Sequence, residues 1–114
     1  MAYSESLAQR MRQALSALPG VTEKKMFGGL AFMVNGKMCL TAGPGRIMCR
    51  VNPEAHDTLT ARDGCETVVM GGRVYRGYVH VNEDQLQTPE ALAYWVNLAL
   101  EFNSVITGTG KAKE

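Results

Sequence analysis

Long apolar runs are missing from this sequence. No stretch approaches the roughly 20 consecutive apolar residues that a helix needs to span a bilayer. The N-terminal segment MAYSESLAQRMRQ is polar and amphipathic, unlike the apolar core of a signal peptide. We therefore expect no membrane contact and a cytoplasmic location.

The sequence has only three cysteines, an odd number, at Cys39, Cys49 and Cys65. This is not the pattern of a disulfide scaffold, so reduced thiols are expected. The sequence also lacks any CxxC or HxxxH pair, so no two metal ligands are brought together locally. Cys39 and Cys49 share the inward faces of neighbouring predicted strands, which leaves metal binding as an alternative. Small buried hydrophobic side chains are the preferred interpretation, with no metal or cofactor expected.

An excess of one charge is missing too, because 12 basic and 11 acidic residues give a formal net charge of +1. Such a balance predicts no general attraction to nucleic acid, so any DNA contact should be local or indirect. The 114 residues suffice for one domain but not for two. We predict a single domain over residues 1–106 and a flexible polar tail over residues 107–114.

The most informative stretch is LAFMVNGKMCL, from Leu30 to Leu40. Its central Asn35-Gly36 favours a type I′ turn, since both central residues of that turn need a positive φ. The two-residue loop predicts a hairpin that pairs Val34 with Lys37, Met33 with Met38, Phe32 with Cys39 and Ala31 with Leu40. One face then carries Leu30, Phe32, Val34 and Cys39, and the other carries Ala31, Met33, Met38 and Leu40. Because both faces are apolar, helices, other strands or a partner chain should cover both.

Local signals along the rest of the chain predict helix, strands, short helix, strands and helix. The first helix follows a cap at Ser4 and has an apolar stripe of Leu7, Met11, Ala14, Leu15 and Leu18. Further strands are predicted at 22–27, 46–51, 67–70 and 73–81. Asn52-Pro53 and Thr88-Pro89 each have the pattern of a cap followed by the first helical residue, which predicts a short helix at 53–61 and a last helix that continues to about Val105. This order predicts an α+β fold, an antiparallel sheet of hairpins with the two longer helices on one face.

One group of side chains suggests a binding surface. Arg46 and Arg50 share one strand face, and Arg73 and Arg76 are expected on another, with Tyr75 or Tyr78 interleaved. His80 should lie on a strand face with Arg76 and Tyr78, and Lys24, Lys25 and Lys37 are expected nearby. Arginine beside an aromatic ring on a sheet can hold phosphates and stack bases, although an ordinary solvated face is the preferred interpretation. Neither a Cys–His pair nor paired carboxylates are indicated, so no catalytic activity is predicted.

Four segments resemble one known family. KKMFGGLAFMVNGKMCL at residues 24–40, RVNPEA at 50–55, GRVYRGYVHV at 72–81 and the helix containing Trp95 are similar to the N-terminal domain of TfoX/Sxy-type proteins. The resemblance spans nearly the whole sequence. It implies an α+β fold, a bacterial source and no catalytic residues. Family members with a known role regulate natural competence, as coactivators with the cyclic-AMP receptor protein, and carry a second, C-terminal domain that has no counterpart here.

The resemblance includes a recurring segment from Lys25 to Gly29. It marks either a binding edge or the backbone bend and core that the fold requires, and the second interpretation is preferred. The full set of candidate binding residues is Lys25, Gly28, Gly29, Arg46, Arg50, Arg76, Tyr78 and His80.

Two hypotheses of function follow from these observations. The first is a non-enzymatic interaction module that contacts a protein partner in transcriptional regulation, with a homodimer as a further expectation. The alternative is a small-ligand or nucleic-acid binder that uses the basic and aromatic sheet face.

Overall fold

A computed structural model describes residues 5–16, 18, 20–26 and 29–107. Its helices are α1 (Glu5–Ala14), α2 (His56–Thr60) and α3 (Pro89–Thr107), with 3-10 turns at Pro53–Ala55 and Glu83–Gln85. Its strands are β1 (Val21–Met26), β2 (Gly29–Val34), β3 (Lys37–Gly43), β4 (Arg46–Arg50), β5 (Cys65–Met70) and β6 (Arg73–Asn82). The predicted Phe27 and Gly28, the cap at Ser4 and most of the predicted tail, residues 108–114, lie outside the described residues.

The strands form one antiparallel sheet in the order β1-β2-β3-β4-β6-β5. The Asn35-Gly36 turn has positive φ at both residues, 54° and 84°, as the predicted turn type requires. Helices α1 and α3 pack on one face of the sheet, and the short α2 packs against β5 and β6. The predicted α+β fold, with both longer helices on one face, is therefore confirmed.

The main core lies between the sheet and these helices. From the helices it takes Leu7, Ala8 and Met11 of α1, Leu59 of α2, and Leu92, Trp95, Val96 and Ala99 of α3. The buried amide of Asn103 donates a hydrogen bond to the carbonyl oxygen of Val34, 3.0 Å away, which ties the last helix to the end of β2. Thr88 caps that helix as predicted, because its hydroxyl accepts a hydrogen bond from the amide of Ala91.

The predicted apolar stripe of the first helix is partly wrong. Leu7, Met11 and Leu15 are buried, but Ala14 is exposed and Leu18 is 39% exposed, while Ala8 is fully buried. The helix ends at Ala14, so Leu18 no longer keeps the 100° spacing on which the prediction relied, whereas Ala14 lies within the helix but on its exposed side, and Ala8 takes part in the buried side instead.

The register of the β2–β3 hairpin is confirmed next to the turn and wrong beyond it. Val34 pairs with Lys37 and Met33 with Met38, but a bulge then pairs Phe32 with Leu40 and Ala31 with Thr41. Cys39 is the extra residue of the bulge. Consequently Leu40 lies on the helix side with Phe32, rather than on the opposite face where the uninterrupted alternation placed it.

The face of the sheet away from the helices, here called the outer face, is partly covered as well. Ala31, Met48 and Val68 are buried but do not belong to the helix-side core. In a flat sheet β2 and β5 would lie about 19 Å apart, four strand spacings. Here Val69 of β5 borders the same cavity as Gly29 of β2, so the sheet curls until its β5–β6 end approaches the outer face.

Among the described residues, none of the helices combines the length and the apolarity that crossing a membrane demands.

Candidate functional site

Strands β4 and β6 are neighbours, and they bring the sequence-predicted residues of the outer face together. Arg50 pairs with Tyr78, Met48 with His80 and Arg46 with Asn82. On β4 the alternate residues Ile47 and Cys49 are buried in the helix-side core. Arg46 and Arg50 therefore project to the outer face, beside Tyr78 and His80 of β6.

Arg50, Tyr78, Tyr75 and Arg73 form a continuous line of contacts, here called the Arg–Tyr strip. The guanidinium of Arg50 lies 5.5 Å from the ring centre of Tyr78, and that of Arg73 lies 5.7 Å from the ring centre of Tyr75. The two tyrosine rings meet edge to face with their centres 6.3 Å apart. Cation–π and edge-to-face contacts of this kind hold the side chains together as a basic and aromatic surface.

Arg76 does not belong to this strip, so the prediction that it shares a face with Tyr78 and His80 is wrong. Its guanidinium donates two hydrogen bonds, of 3.0 and 3.2 Å, to the carboxylate of Asp57 on α2. The pair raises the pKa of Arg76 and lowers that of Asp57. The cause is Gly77, whose φ of +95° interrupts the alternation that the sequence pattern had carried through this position.

Lys25 also lies apart from the arginines. It is exposed on the edge strand β1 and pairs with Leu30, whose side chain is in the helix-side core. Partners directly opposite each other in a ladder point to the same face, so Lys25 lies on the helix side of the edge. The predicted proximity of Lys25 to Arg46 and Arg50 is therefore wrong.

A cavity of about 170 Å³, here called the Arg46–His80 pocket, opens on the outer face. Its lining includes Gly29, Thr41, Arg46, Val69 and His80. The pKa of the half-buried His80 is lowered by desolvation first and by the charge of Arg46 second. The predicted residues Gly29, Arg46 and His80 thus meet at one place, whereas Gly28 lies outside the described residues.

The three cysteine thiols are buried and are held in the protonated form. Burial raises the pKa of Cys39 to about 12 and that of Cys65 to about 11, and it raises that of Cys49 as well. Thiols held in this protonated form are poor nucleophiles. Within the described part of the chain, no group of three or more His, Cys, Asp or Glu side chains is placed to hold a metal ion.

Val69 and Met48, which border the pocket, were not predicted as site residues. Met48 was visible in the sequence as the outward residue between Arg46 and Arg50. Val69 was not, because only the curling of the sheet brings β5 towards β2.

Comparison with protein families assigns most of the chain to a known family. A family model described as the TfoX N-terminal domain matches residues 13–103 of the 114-residue chain. No curated protein matches.

Proposed function

Because this chain belongs to the TfoX N-terminal domain family, we propose that it is a non-enzymatic interaction module that regulates transcription by binding a partner protein. Regulation of competence is the specific role that the family resemblance suggests. We propose a cytoplasmic location, because that compartment keeps thiols such as these three reduced.

The observation that carries this proposal is an exposed apolar pair beside the Arg–Tyr strip. Val69 and Val74 oppose each other at the end of the β5–β6 hairpin and are 54% and 64% exposed. Arg73 and Tyr75, the chain neighbours of Val74, belong to the strip and by strand alternation project from the other face of this hairpin end. The hairpin end therefore exposes two valines on one face and, on the other, arginine and tyrosine, which are enriched in interface hot spots.

The charge of this surface indicates the chemistry of the partner. Within the described residues, Arg50 and Arg73 contact tyrosine rings and enter no ion pair. Their charges therefore remain available to carboxylates on another protein. We propose a partner that presents acidic side chains around a small apolar patch, and a second copy of this chain is the alternative outcome of the test.

Affinity capture with three forms of the protein tests the proposal. The wild type should enrich a defined partner, and the double variant Val69→Lys/Val74→Lys should lose it, because two buried charges oppose an apolar contact. Val105→Lys is the matched control, since Val105 is 72% exposed on α3. Light scattering of the purified protein measures its oligomeric state and so tests whether a second copy of the chain is the partner. Capture that is equal for wild type and double variant would contradict the proposal.

Nucleic-acid binding is a second candidate, and the geometry of the Arg–Tyr strip favours it. Two tyrosine rings flanked by two guanidinium groups can stack unpaired bases and contact phosphates. Binding to a single-stranded oligonucleotide should weaken with salt and fall further in Arg50→Ala/Arg73→Ala. Arg76→Ala is the control, because Arg76 is paired with Asp57 away from the strip. Unchanged affinity in the Arg50/Arg73 double variant would exclude this use of the strip.

A further inference from the structure

The Arg46–His80 pocket has an apolar interior and a basic side. Its apolar lining includes Pro44, Met48 and Val69, and its polar lining includes the side chains of Arg46 and His80. Met48 is only 7% exposed, whereas Val69 is 54% exposed. A ligand that entered would therefore lie over a buried methionine and beside an accessible valine.

The fold itself creates this cavity. Strands β2 and β3 approach so closely at Gly29 that an added Cβ would lie 2.5 Å from the carbonyl oxygen of Ala42 and 3.0 Å from the methyl group of Thr41. The absence of a side chain at Gly29 leaves this part of the outer face open. The opposite side of the cavity is formed by Val69, which the curled sheet brings across. The pocket is thus bordered by strands from distant parts of the chain.

The polar groups of the pocket favour an anion. Arg46 enters no ion pair among the described residues. His80 is half-buried next to it, and Glu66 is its partner in the β5–β6 ladder. The hydroxyl of Thr41 donates to the sulfur of Met38 at 3.4 Å, and sulfur is a weak acceptor. One guanidinium and one imidazole over apolar side chains match a single carboxylate better than a phosphate, which usually needs more cationic donors.

We propose that the Arg46–His80 pocket binds a small carboxylate with an apolar body, whose carboxylate pairs with Arg46 and His80 and whose body packs against Met48 and Val69. Arginine favours carboxylates because its planar donors match both oxygens. The site shares Val69 with the exposed apolar pair of the proposed interface but none of the Arg–Tyr strip, and its charged residues Arg46 and His80 have no part in the proposed function, so variants at Arg46 test it separately. With a single arginine and a small cavity, the expected Kd for a simple carboxylate is about a millimolar.

NMR titration with benzoate tests the proposal, and benzamide is the uncharged probe of the same shape. Benzoate should shift the His80 ring resonance saturably and raise the pKa of His80, since a bound anion stabilises the imidazolium against the opposing charge of Arg46. The charge of Glu66 already raises the pKa of His80 in the ligand-free protein. The effect of benzoate is therefore the further rise above the pKa measured without ligand. By linkage, benzoate should bind more tightly as the pH falls through the pKa of His80.

Two variants distinguish benzoate binding in the pocket from a general attraction of benzoate to positively charged side chains. Arg46→Gln should weaken benzoate binding roughly ten- to a hundredfold, the range expected for a lost hydrogen-bonded charge. Lys37→Gln removes an exposed cation outside the pocket, at the β2–β3 turn, and should leave the Kd unchanged. Both substituted side chains are exposed, so the fold should survive, and the resonance of the buried Trp95 monitors this.

Three results would overturn the proposal. The first is no saturable shift at about 50 mM benzoate, far above the expected Kd. The second is equal binding of benzamide, which would show an apolar cavity without a role for the charge. The third is an Arg46→Gln variant that binds benzoate as well as the wild type does, or no more weakly than Lys37→Gln does, which would show that the attraction is not local to the pocket.

Discussion

At Gly29 a single methyl group would collide with the neighbouring strand. The added Cβ would meet the carbonyl oxygen of Ala42 and the methyl group of Thr41, and the backbone atom cannot rotate away. We expect Gly29→Ala to lower the free energy of unfolding by about 2–3 kcal/mol, the usual cost of overpacking. Urea denaturation followed by Trp95 fluorescence measures the effect.

Gly43→Ala is the control for that substitution. An added Cβ at Gly43 would meet only the carbonyl oxygen of Arg46, at 3.4 Å, and the residue has no positive φ. Its free energy of unfolding should change by less than about 1 kcal/mol. If both alanine variants were equally stable, the close approach of β2 and β3 would be wrong.

His56 is buried and joined to two strands by its ring nitrogens. Nδ1 accepts a hydrogen bond from the amide of Gly77 at 3.0 Å, so the neutral ring donates from Nε2 to the hydroxyl of Thr67, 2.7 Å away. His56→Ala should cost about 2–4 kcal/mol, because it opens a cavity and leaves two buried polar groups unpaired. Thermal and urea unfolding would measure this.

The comparison for His56 is His80→Ala, since His80 is only half-buried. Its cost should stay below about 1 kcal/mol. A His56→Ala variant as stable as His80→Ala would show that the bridge contributes nothing to folding.

At the scale of elements, an ion pair joins α1 to the edge strand β1. Arg12 donates hydrogen bonds of 2.7 and 3.0 Å to the two carboxylate oxygens of Glu23. The hydrogen bond to Arg12 lowers the pKa of Glu23 below its usual 4.5. The stabilisation is therefore complete above the unfolded pKa and is lost as the pH falls through the lower folded pKa.

Glu23→Gln should accordingly be less stable than the wild type at pH 7, and this difference should vanish in acid. Urea denaturation across this pH range measures it, and added salt should reduce it because both side chains are partly exposed. Arg12→Gln should lose at least as much stability, because it also removes the 3.4 Å contact of Arg12 with Glu5, and adding Glu23→Gln to it should cause no additional loss. A stability difference that is the same at every pH would rule out the ion pair as its source.

The interrupted hairpins show how far elements are predictable. In β5–β6, Thr67 pairs with Val79 but Val68 pairs with Tyr75, so Arg76, Gly77 and Tyr78 are extra residues on β6. The backbone groups of Gly77 have their hydrogen-bond partners outside the hairpin. Its carbonyl oxygen accepts a hydrogen bond from the amide of Val51, and its amide donates one to Nδ1 of His56. These long-range partners are absent from any local pattern, so the strand was predictable and its break was not.

At the scale of the whole molecule, the three cysteines report on global opening. Cys39, Cys49 and Cys65 are free and buried, and burial raises the pKa of each. We expect native protein to react with a thiol reagent at least about a thousandfold more slowly than unfolded protein, because modification requires opening. Reaction in urea should reveal all three thiols.

The same measurement separates buried thiols from the metal-binding alternative. One rapidly reacting equivalent in the native protein would contradict burial. Stoichiometric zinc in protein purified without a histidine tag would show that these thiols serve as ligands instead.

What the sequence by itself determined is the set of elements, their order and the tight turns, together with family membership. These features depend on local backbone preferences and on periodicity, which neighbouring residues express without help from distant ones. The Asn35-Gly36 turn and the Asn52 cap, whose side chain accepts from the amide of Glu54, are examples.

Only the tertiary structure decided which side chains share a surface. Alternation along a strand predicts facing residues until one residue is inserted, and every later side chain then changes sides. The bulge at Cys39 placed Leu40 in the helix-side core, and the break at Gly77 separated Arg76 from Tyr78. Both insertions are held by packing and hydrogen bonds between distant segments, as is the approach of Val69 to Gly29 that forms the Arg46–His80 pocket.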